Sequence, residues 1–140
     1  MKKVIPILLA LFIMLTSTCF ATYEPDSNRW EIITRDSEFK FYLDKETIQY
    51  SEDGNIANIW LCETYVQAPF YWEENQEEYL LLNYRIDKNA RTMTLLMFVS
   101  ADAKTNKIIH RSQTSPSEEK AEIIFPHSTE EIIYKHIFSK

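Results

Sequence analysis

Hydrophobic and polar residues alternate along most of the chain between residues 30 and 113, a period of two that is typical of strands with one buried face. In the first such segment Trp30, Ile32 and Thr34 fall on one side, and Glu31 and Arg35 fall on the other. The clearest amphipathic strand covers residues 39–44, where two sets of side chains alternate: Phe39, Phe41 and Leu43 against Lys40, Tyr42 and Asp44. The pattern therefore predicts a β-rich domain.

Gly54 is the only glycine of the 140 residues. Phosphate-binding loops, dinucleotide fingerprints and nucleophile elbows each need more than one glycine, so the sequence excludes them. The turns must be made by Asn and Asp, which tolerate positive φ, and Asp53-Gly54 is a strong hairpin signal. The predicted strands cover residues 30–35, 39–44, 47–50, 56–66, 79–87, 91–101 and 107–113, followed by a connector over 115–122.

The period changes near the C-terminus, where Ser128 and Glu131 form a capping box. The Ser128 hydroxyl can accept from the Glu131 amide, and the Glu131 carboxylate can reach back. The apolar residues that follow form one stripe: Ile133 with Ile137, Tyr134 with Phe138, and Ile132 beside both pairs. A short helix with one apolar face is stable only when packed, so it should lie on the sheet. Strands followed by one helix predict an α+β fold.

The first 21 residues have the features of a signal peptide, with Lys2 and Lys3 before an apolar run over residues 4–15. Cys19 and Ala21 place small residues where signal peptidase reads them, which predicts cleavage after Ala21. Residues 22–28 then form a polar leader and 29–140 the domain. An uncleaved anchor is one alternative, although the run is shorter than the roughly 20 residues that span a bilayer.

Lipid attachment at Cys19 is the second alternative for this segment. A lipoprotein signal prefers Leu and a small residue at the places of Thr16 and Thr18, which favours ordinary cleavage. In either form we expect export to the periplasm, the cell surface or the extracellular space, with no membrane span in the mature chain. Cys62 alone would then remain after cleavage at Ala21, which leaves no partner for an intramolecular disulfide.

The chain is acidic, and removal of the signal segment makes it more so. Of the 15 basic residues Lys2 and Lys3 are lost, so against 21 acidic residues the remaining domain carries a net charge of −8. Nucleic acids and anionic lipid surfaces both require basic patches, so neither is an expected partner. A protein partner is the remaining expectation.

Motifs for catalysis, metals or cofactors are absent from the sequence. His110, His127 and His136 have no metal-ligand spacing, so we expect structural roles for them and neither a metal nor a cofactor. Cys62 is expected to be a small buried hydrophobe, because no neighbouring residue would activate its thiol. Carboxylates could still converge in space, which keeps a hydrolase as the third hypothesis.

The candidate protein-contact patch consists of Phe70, Tyr71, Trp72, Glu73 and Glu74. Side chains alternate along an extended segment, so three consecutive aromatic rings cannot all enter one core. At least one ring should be exposed, and aromatic residues dominate binding hot spots. The alternative is that the rings fold back over the rim of the core.

Several short segments, taken in order, resemble the surface-adhesin protein E-like domain family of bacterial secreted and surface proteins. In the first half these are Trp30-Glu31-Ile32-Ile33, Phe41-Tyr42-Leu43-Asp44 with Thr47-Ile48, and Gly54 with Ile59-Trp60. In the second half they are Tyr84-Arg85-Ile86-Asp87, the strand from Arg91, and Phe125-Pro126-His127-Ser128. The resemblance covers residues 29–138.

The resemblance implies a single curved antiparallel sheet of about six strands packed against one C-terminal helix, in agreement with the α+β prediction. It also implies no enzymatic activity, binding of host matrix or plasma proteins, and the capacity to form a homodimer. Two positions depart from the family. Lys88 and Phe138, or its neighbours, stand where the family often carries two cysteines, and His127 replaces the glycine of a Pro-Gly-Ser segment.

The preferred hypothesis is thus an exported, non-enzymatic binding domain of the cell envelope or surface that resembles surface-adhesin protein E. The main alternative is a periplasmic inhibitor or ligand-binding module that uses its acidic aromatic loop against a basic protein. The hydrolase comes third. Affinity for a basic protein that falls steeply with salt would favour the inhibitor. Salt-tolerant binding to matrix proteins would favour the adhesin, and substrate turnover would favour the enzyme.

Overall fold

The computed structural model of the protein describes residues 23–66 and 77–139. These contain eight strands and one helix: β1 (Trp30–Arg35), β2 (Phe39–Asp44), β3 (Gln49–Tyr50), β4 (Ile56–Tyr65), β5 (Glu78–Asp87), β6 (Thr92–Asp102), β7 (Ile108–Gln113), β8 (Ala121–Ile123) and α1 (Thr129–Phe138). In this part of the chain no helix has the length and apolar character needed to cross a membrane.

The strands form one sheet in which every pairing is antiparallel. Six strands follow the order β1-β2-β4-β5-β6-β7, while the short β3 pairs with β4 and β8 pairs with β6. Three register shifts interrupt the pairing, and such bulges bend the strands that carry them. The predicted antiparallel sheet with one C-terminal helix is confirmed.

The connector predicted over residues 115–122 is partly wrong, because its end is a strand. β7 pairs only with residues 97–101 of β6, which leaves the first part of β6 open on that side. Residues 121–123 fill this place, with Ala121 opposite Thr94 and Ile123 opposite Thr92. Three residues are too few for a period of two to be recognised.

One face of the sheet, called the helix face below, carries the main core. Leu82 and Ile86 of β5 lie on it, together with their cross-strand partners Leu61 and Met93. The buried members of this core come from four strands, the segment before the helix and the helix itself: Leu43, Ala57, Ile59, Leu61, Leu82, Ile86, Met93, Ile124, Ile133 and Ile137.

Helix α1 begins as the capping box predicts and packs through two residues. The Ser128 hydroxyl accepts a hydrogen bond from the Glu131 amide at 3.2 Å, whereas the Glu131 carboxylate accepts from the His127 amide at 2.9 Å rather than from Ser128. Ile133 is buried on the helix face, as predicted. The expectation that Ile132 packs with this apolar stripe is wrong, since Ile132 is 44% exposed. Adjacent helix positions point about 100° apart, so the two isoleucines cannot both face the sheet.

The first strand differs from its predicted alternation. Ile32 is 51% exposed, and Ile33 instead packs against the main core. Ile32 pairs with Tyr42, so its side chain projects from the face opposite the helix, near the edge of the sheet. A bulge between Ile32 and Thr34 then changes the alternation for the rest of the strand.

The face opposite the helix carries a second, smaller core made by Tyr42, Cys62, Tyr79 and Ala101. Part of the segment predicted as a polar leader packs there. The Tyr23 ring stacks on Tyr79 with a centroid distance of 4.2 Å, and Pro25 is buried. Both faces of the sheet therefore bury side chains.

Candidate functional site

The predicted contact patch, Phe70, Tyr71, Trp72, Glu73 and Glu74, lies outside the described residues, as does the predicted signal segment. Both stay predictions. The candidate site that the described residues form is a different one, on the helix face.

A groove opens on the helix face beside the N-terminal end of α1. Its larger part has a volume of about 650 Å³ and lies between β5, β6, β8 and the segment before the helix. A smaller part of about 270 Å³ extends towards the β1–β2 turn. Both parts are open to solvent and share the side chains of Tyr84, Met93 and Glu130, so they adjoin. We call the two parts together the acidic groove.

The floor of the acidic groove is apolar because it is the uncovered part of the helix face. Tyr84 of β5 and Leu95 of β6 are paired neighbours there, and Met93 lies beside them. At the rim, Phe125 is 67% exposed. Large apolar side chains that remain exposed beside a groove are typical of a surface that contacts another molecule.

Carboxylates surround this apolar floor. Those among the described lining residues are Asp36, Glu63, Glu118, Glu122 and Glu130, and Lys120 is the one basic residue in the same set. They come from the β1–β2 turn, β4, the connector, β8 and α1, which are distant in sequence. The groove thus combines an apolar floor with a negative rim.

Tyr84 lies where this negative charge converges. Burial raises the pKa of the Tyr84 phenol to about 12, and the negative charges of Glu63, Glu122 and Glu130 add to the effect. Among residues 23–66 and 77–139, no hydrogen bond of the phenol is found. A half-buried hydroxyl among carboxylates is open to interaction with a ligand.

Glu63 is the carboxylate of the groove whose surroundings disfavour its charged form. It lies on the helix face beyond Ile59 and Leu61, and burial raises the pKa of its carboxyl, with a smaller effect from Asp36. In the described part of the chain it has neither an ion-pair nor a hydrogen-bond partner. A desolvated carboxylate without a partner is unfavourable, so a cation placed beside it would be stabilised.

The rim of the groove is fixed from the other face of the sheet. Arg85 points away from the groove and forms an ion pair with Glu119 of the connector. The Ser115 hydroxyl donates to the Glu118 carboxylate at 2.6 Å. The Arg85–Glu119 ion pair joins the connector to β5, and the pairing of β8 with β6 places Glu122 in the wall of the groove.

The candidate catalytic residues of the sequence are not brought together. Cys62 is buried in the second core, and burial raises the pKa of its thiol to about 12, so the thiol is protonated at neutral pH. His110 is exposed on β7, His127 precedes the helix cap, and His136 lies 3.5 Å from the Glu31 carboxylate. Within the described ranges, no group of three or more potential metal ligands is present.

Sequence reasoning missed the acidic groove, although one signal for it was present. In the alternation of β4 the apolar positions Ile59 and Leu61 are followed by Glu63 on the same face. A carboxylate at a position that the period assigns to the core is unusual enough to mark a site. Glu122 and Glu130 carry no such signal, because only the folded chain brings them to Tyr84.

No protein-family model matches the chain, and no curated protein sequence matches it. Among solved structures, crystal form II of Haemophilus influenzae protein E is similar, with a TM-score of 0.60. The two chains are 11% identical, and the match covers 84% of this chain and 91% of the other. At this identity the likeness concerns the fold. The chain therefore has the fold of Haemophilus influenzae protein E, as its resemblance to the protein E-like family implies.

Proposed function

We propose that the chain is an exported, non-enzymatic domain of the cell envelope or surface that binds another protein. The observation that carries this proposal is the acidic groove, which is open to solvent and combines an apolar floor with a rim of carboxylates. The shared fold with protein E supports the same function. The buried, protonated Cys62 and the separated histidines favour binding over catalysis.

Export is part of the proposal, and it rests on the sequence of residues 1–21. The intact mass of the natively produced protein tests it. We expect a chain that begins at Thr22. A lipid-modified species that begins at Cys19 would replace this with a membrane-attached form, and a retained segment 1–21 would contradict cleavage.

A basic protein is the partner that the groove favours, because carboxylates outnumber basic residues around it. This keeps the periplasmic inhibitor or ligand-binding module as the second candidate function beside an adhesin for host matrix or plasma proteins. Capture with the mature domain from host plasma and from the organism's own envelope, at low and at high salt, separates them. Release of a captured basic protein by salt would indicate the inhibitor. Salt-tolerant capture of matrix proteins would indicate the adhesin.

The aromatic segment around Tyr71 and Trp72 is a second contact region that we propose from the sequence. Replacing both residues with Ala should weaken binding of the captured partner by more than about 2 kcal/mol while the free energy of unfolding stays the same. Ile132→Ala, at an exposed position of α1, is the matched control. If the double variant melts early, or is stable and binds normally, the segment is not a contact patch.

A further inference from the structure

We propose that the acidic groove binds an extended segment of the partner protein and places a lysine or arginine side chain of that segment against Tyr84. The inference rests on the proposed function and names the site and the chemistry of the partner. It follows from the shape of the groove, the charge around it and two polar groups, Glu63 and Tyr84, for which residues 23–66 and 77–139 supply no hydrogen-bond partner.

The shape favours a polypeptide. The larger and smaller parts adjoin at Tyr84 and together run from the β1–β2 turn to the connector and β8. Enclosed pockets are typical of small-molecule sites, whereas both parts of this groove are partly open to solvent. An extended chain advances about 3.3 Å per residue with alternate side chains on opposite sides, which suits a groove with an apolar floor and a charged rim.

The charge selects a cation. Tyr84 lines both parts of the groove, with Glu122 and Glu130 in the larger part and with Glu63 and Glu130 in the smaller part. An ammonium or guanidinium group there would contact the ring face of Tyr84 and would be attracted by the three carboxylates. The same carboxylates would repel a negatively charged segment, which excludes acidic partners.

The apolar surface selects a segment rather than a free cation. Met93 and Leu95 on the floor and Phe125 at the rim offer contacts to apolar side chains on either side of the bound lysine or arginine. A small polyamine would satisfy the carboxylates and leave this surface exposed to water. The preferred ligand therefore alternates basic and apolar residues.

A short peptide that alternates lysine and leucine, blocked at both ends, is the direct probe. Titration followed by nuclear magnetic resonance should show saturable binding with amide shifts at Tyr84, Met93, Leu95 and Ile124. The matching peptide with glutamate in place of lysine, and spermidine, are the ligand controls. Binding of spermidine as tight as that of the lysine peptide would overturn the assignment to a polypeptide segment, and shifts centred elsewhere would overturn the site.

Variants of the groove test the charge. The double variant Glu122→Gln with Glu130→Gln should weaken the lysine peptide roughly tenfold or more. The double variant Glu46→Gln with Glu52→Gln removes the same charge from exposed turns outside the groove and should leave the affinity unchanged. Equal weakening by both pairs would mean general charge attraction and would overturn the proposal.

A charge reversal guards against variants that fail to fold. Glu122→Lys with Glu130→Lys should lose the lysine peptide and gain the glutamate peptide, which an unfolded chain cannot do. Loss of both peptides with an unchanged melting temperature would overturn the proposal. A partner captured from plasma or envelope that binds the Glu122→Gln, Glu130→Gln variant as well as the wild type would end the groove inference and leave the proposed function standing. If the peptide binds the groove but neither source yields a partner, the proposed function fails instead.

Discussion

The ammonium of Lys88 lies 5.7 Å from the centre of the Phe138 ring, where the β5–β6 turn meets the last turn of α1. Lys88, and Phe138 or its neighbours, stand where the family that the chain resembles often carries cysteines, and here a non-covalent contact joins the helix to the sheet. The Phe138 ring also lies 5.2 Å from the Tyr134 ring and 6.2 Å from the Tyr50 ring. The end of the helix is thus held by an aromatic cluster.

Phe138 should contribute more to this attachment than Lys88. Phe138→Ala removes the ring from the cluster and should lower the free energy of unfolding by about 2 kcal/mol, because the ring is only partly buried. Lys88→Ala removes one exposed cation–π contact, for which about 0.5–1 kcal/mol is expected. Urea denaturation measures both, with Lys107→Ala as the exposed control. A larger effect at Lys88 would contradict the cluster.

Helix docking depends on Ile133 and on the cap. Ile133→Ala should lower the free energy of unfolding by about 2–5 kcal/mol, the usual effect of removing a buried side chain, and Ser128→Ala by about 0.5–2 kcal/mol. Ile132→Ala is the matched control, since the neighbouring isoleucine is exposed. If Ile132→Ala destabilises as much as Ile133→Ala, the helix packs through a different face.

His127 adopts a positive φ of 64°, a conformation that favours glycine. The resembling family has a glycine at this place. His127→Gly should therefore raise the free energy of unfolding by about 0.5–1 kcal/mol, because glycine adopts the left-handed backbone without strain. The hydrogen bond that the backbone amide of this residue donates to the Glu131 carboxylate is kept. His110→Gly, within strand β7, is the control and should destabilise. A destabilised His127→Gly variant would mean that the imidazole makes a needed contact.

Glu131 should make stability depend on pH in acid. The His127 amide and the Lys135 ammonium lower the pKa of its carboxyl from 4.5 to about 2 in the folded state. Because the folded-state pKa is depressed, the contribution is complete above pH 4.5 and is lost as the pH falls towards 2. Melting curves over this range should show a weaker pH dependence for Glu131→Gln than for the wild type. Glu130→Gln is the neighbouring control, and an identical slope for both variants would contradict the assignment.

Cys62 should be unreactive in the native protein. Burial raises the pKa of its thiol to about 12, so iodoacetamide at pH 8 should not modify it unless denaturant is added. Mass spectrometry after timed labelling checks this. Reductant should also leave the melting temperature unchanged, since Cys62 is a free cysteine. Rapid labelling of the folded chain, or a drop in melting temperature under reductant, would contradict this account.

The alternation of apolar and polar residues predicted the strands well, but it predicted the burial of single residues less well. Asp44 was assigned to the polar side of β2, yet it is buried, and the Arg29 guanidinium binds its two oxygens at 2.6–3.0 Å. The reason is that the second face of the sheet is also covered, in part by Tyr23 and Pro25. A period of two indicates which side chains share a face, but it does not indicate whether the polar face meets water.

The site was predictable only in part for a related reason. Glu63 could be found from its place in the β4 alternation, since one strand contains the signal. The convergence of Glu122 and Glu130 on Tyr84 depends on β8 pairing with β6 and on the direction in which α1 leaves Ser128. Both are properties of the tertiary fold, which local propensity does not encode.

Because α1 follows the eight described strands in sequence, it determines when the domain can finish folding. Ile133 and Ile137 complete the main core, and the Tyr50 hydroxyl donates to the Ile137 carbonyl 87 residues later in the chain. A chain that leaves the ribosome or crosses a membrane with its N-terminus first cannot make these contacts until Ile133 and Ile137 emerge. Until that moment the sheet exposes the apolar face that the helix will cover, so a holding chaperone would have its opportunity to bind after the strands and before α1 emerges.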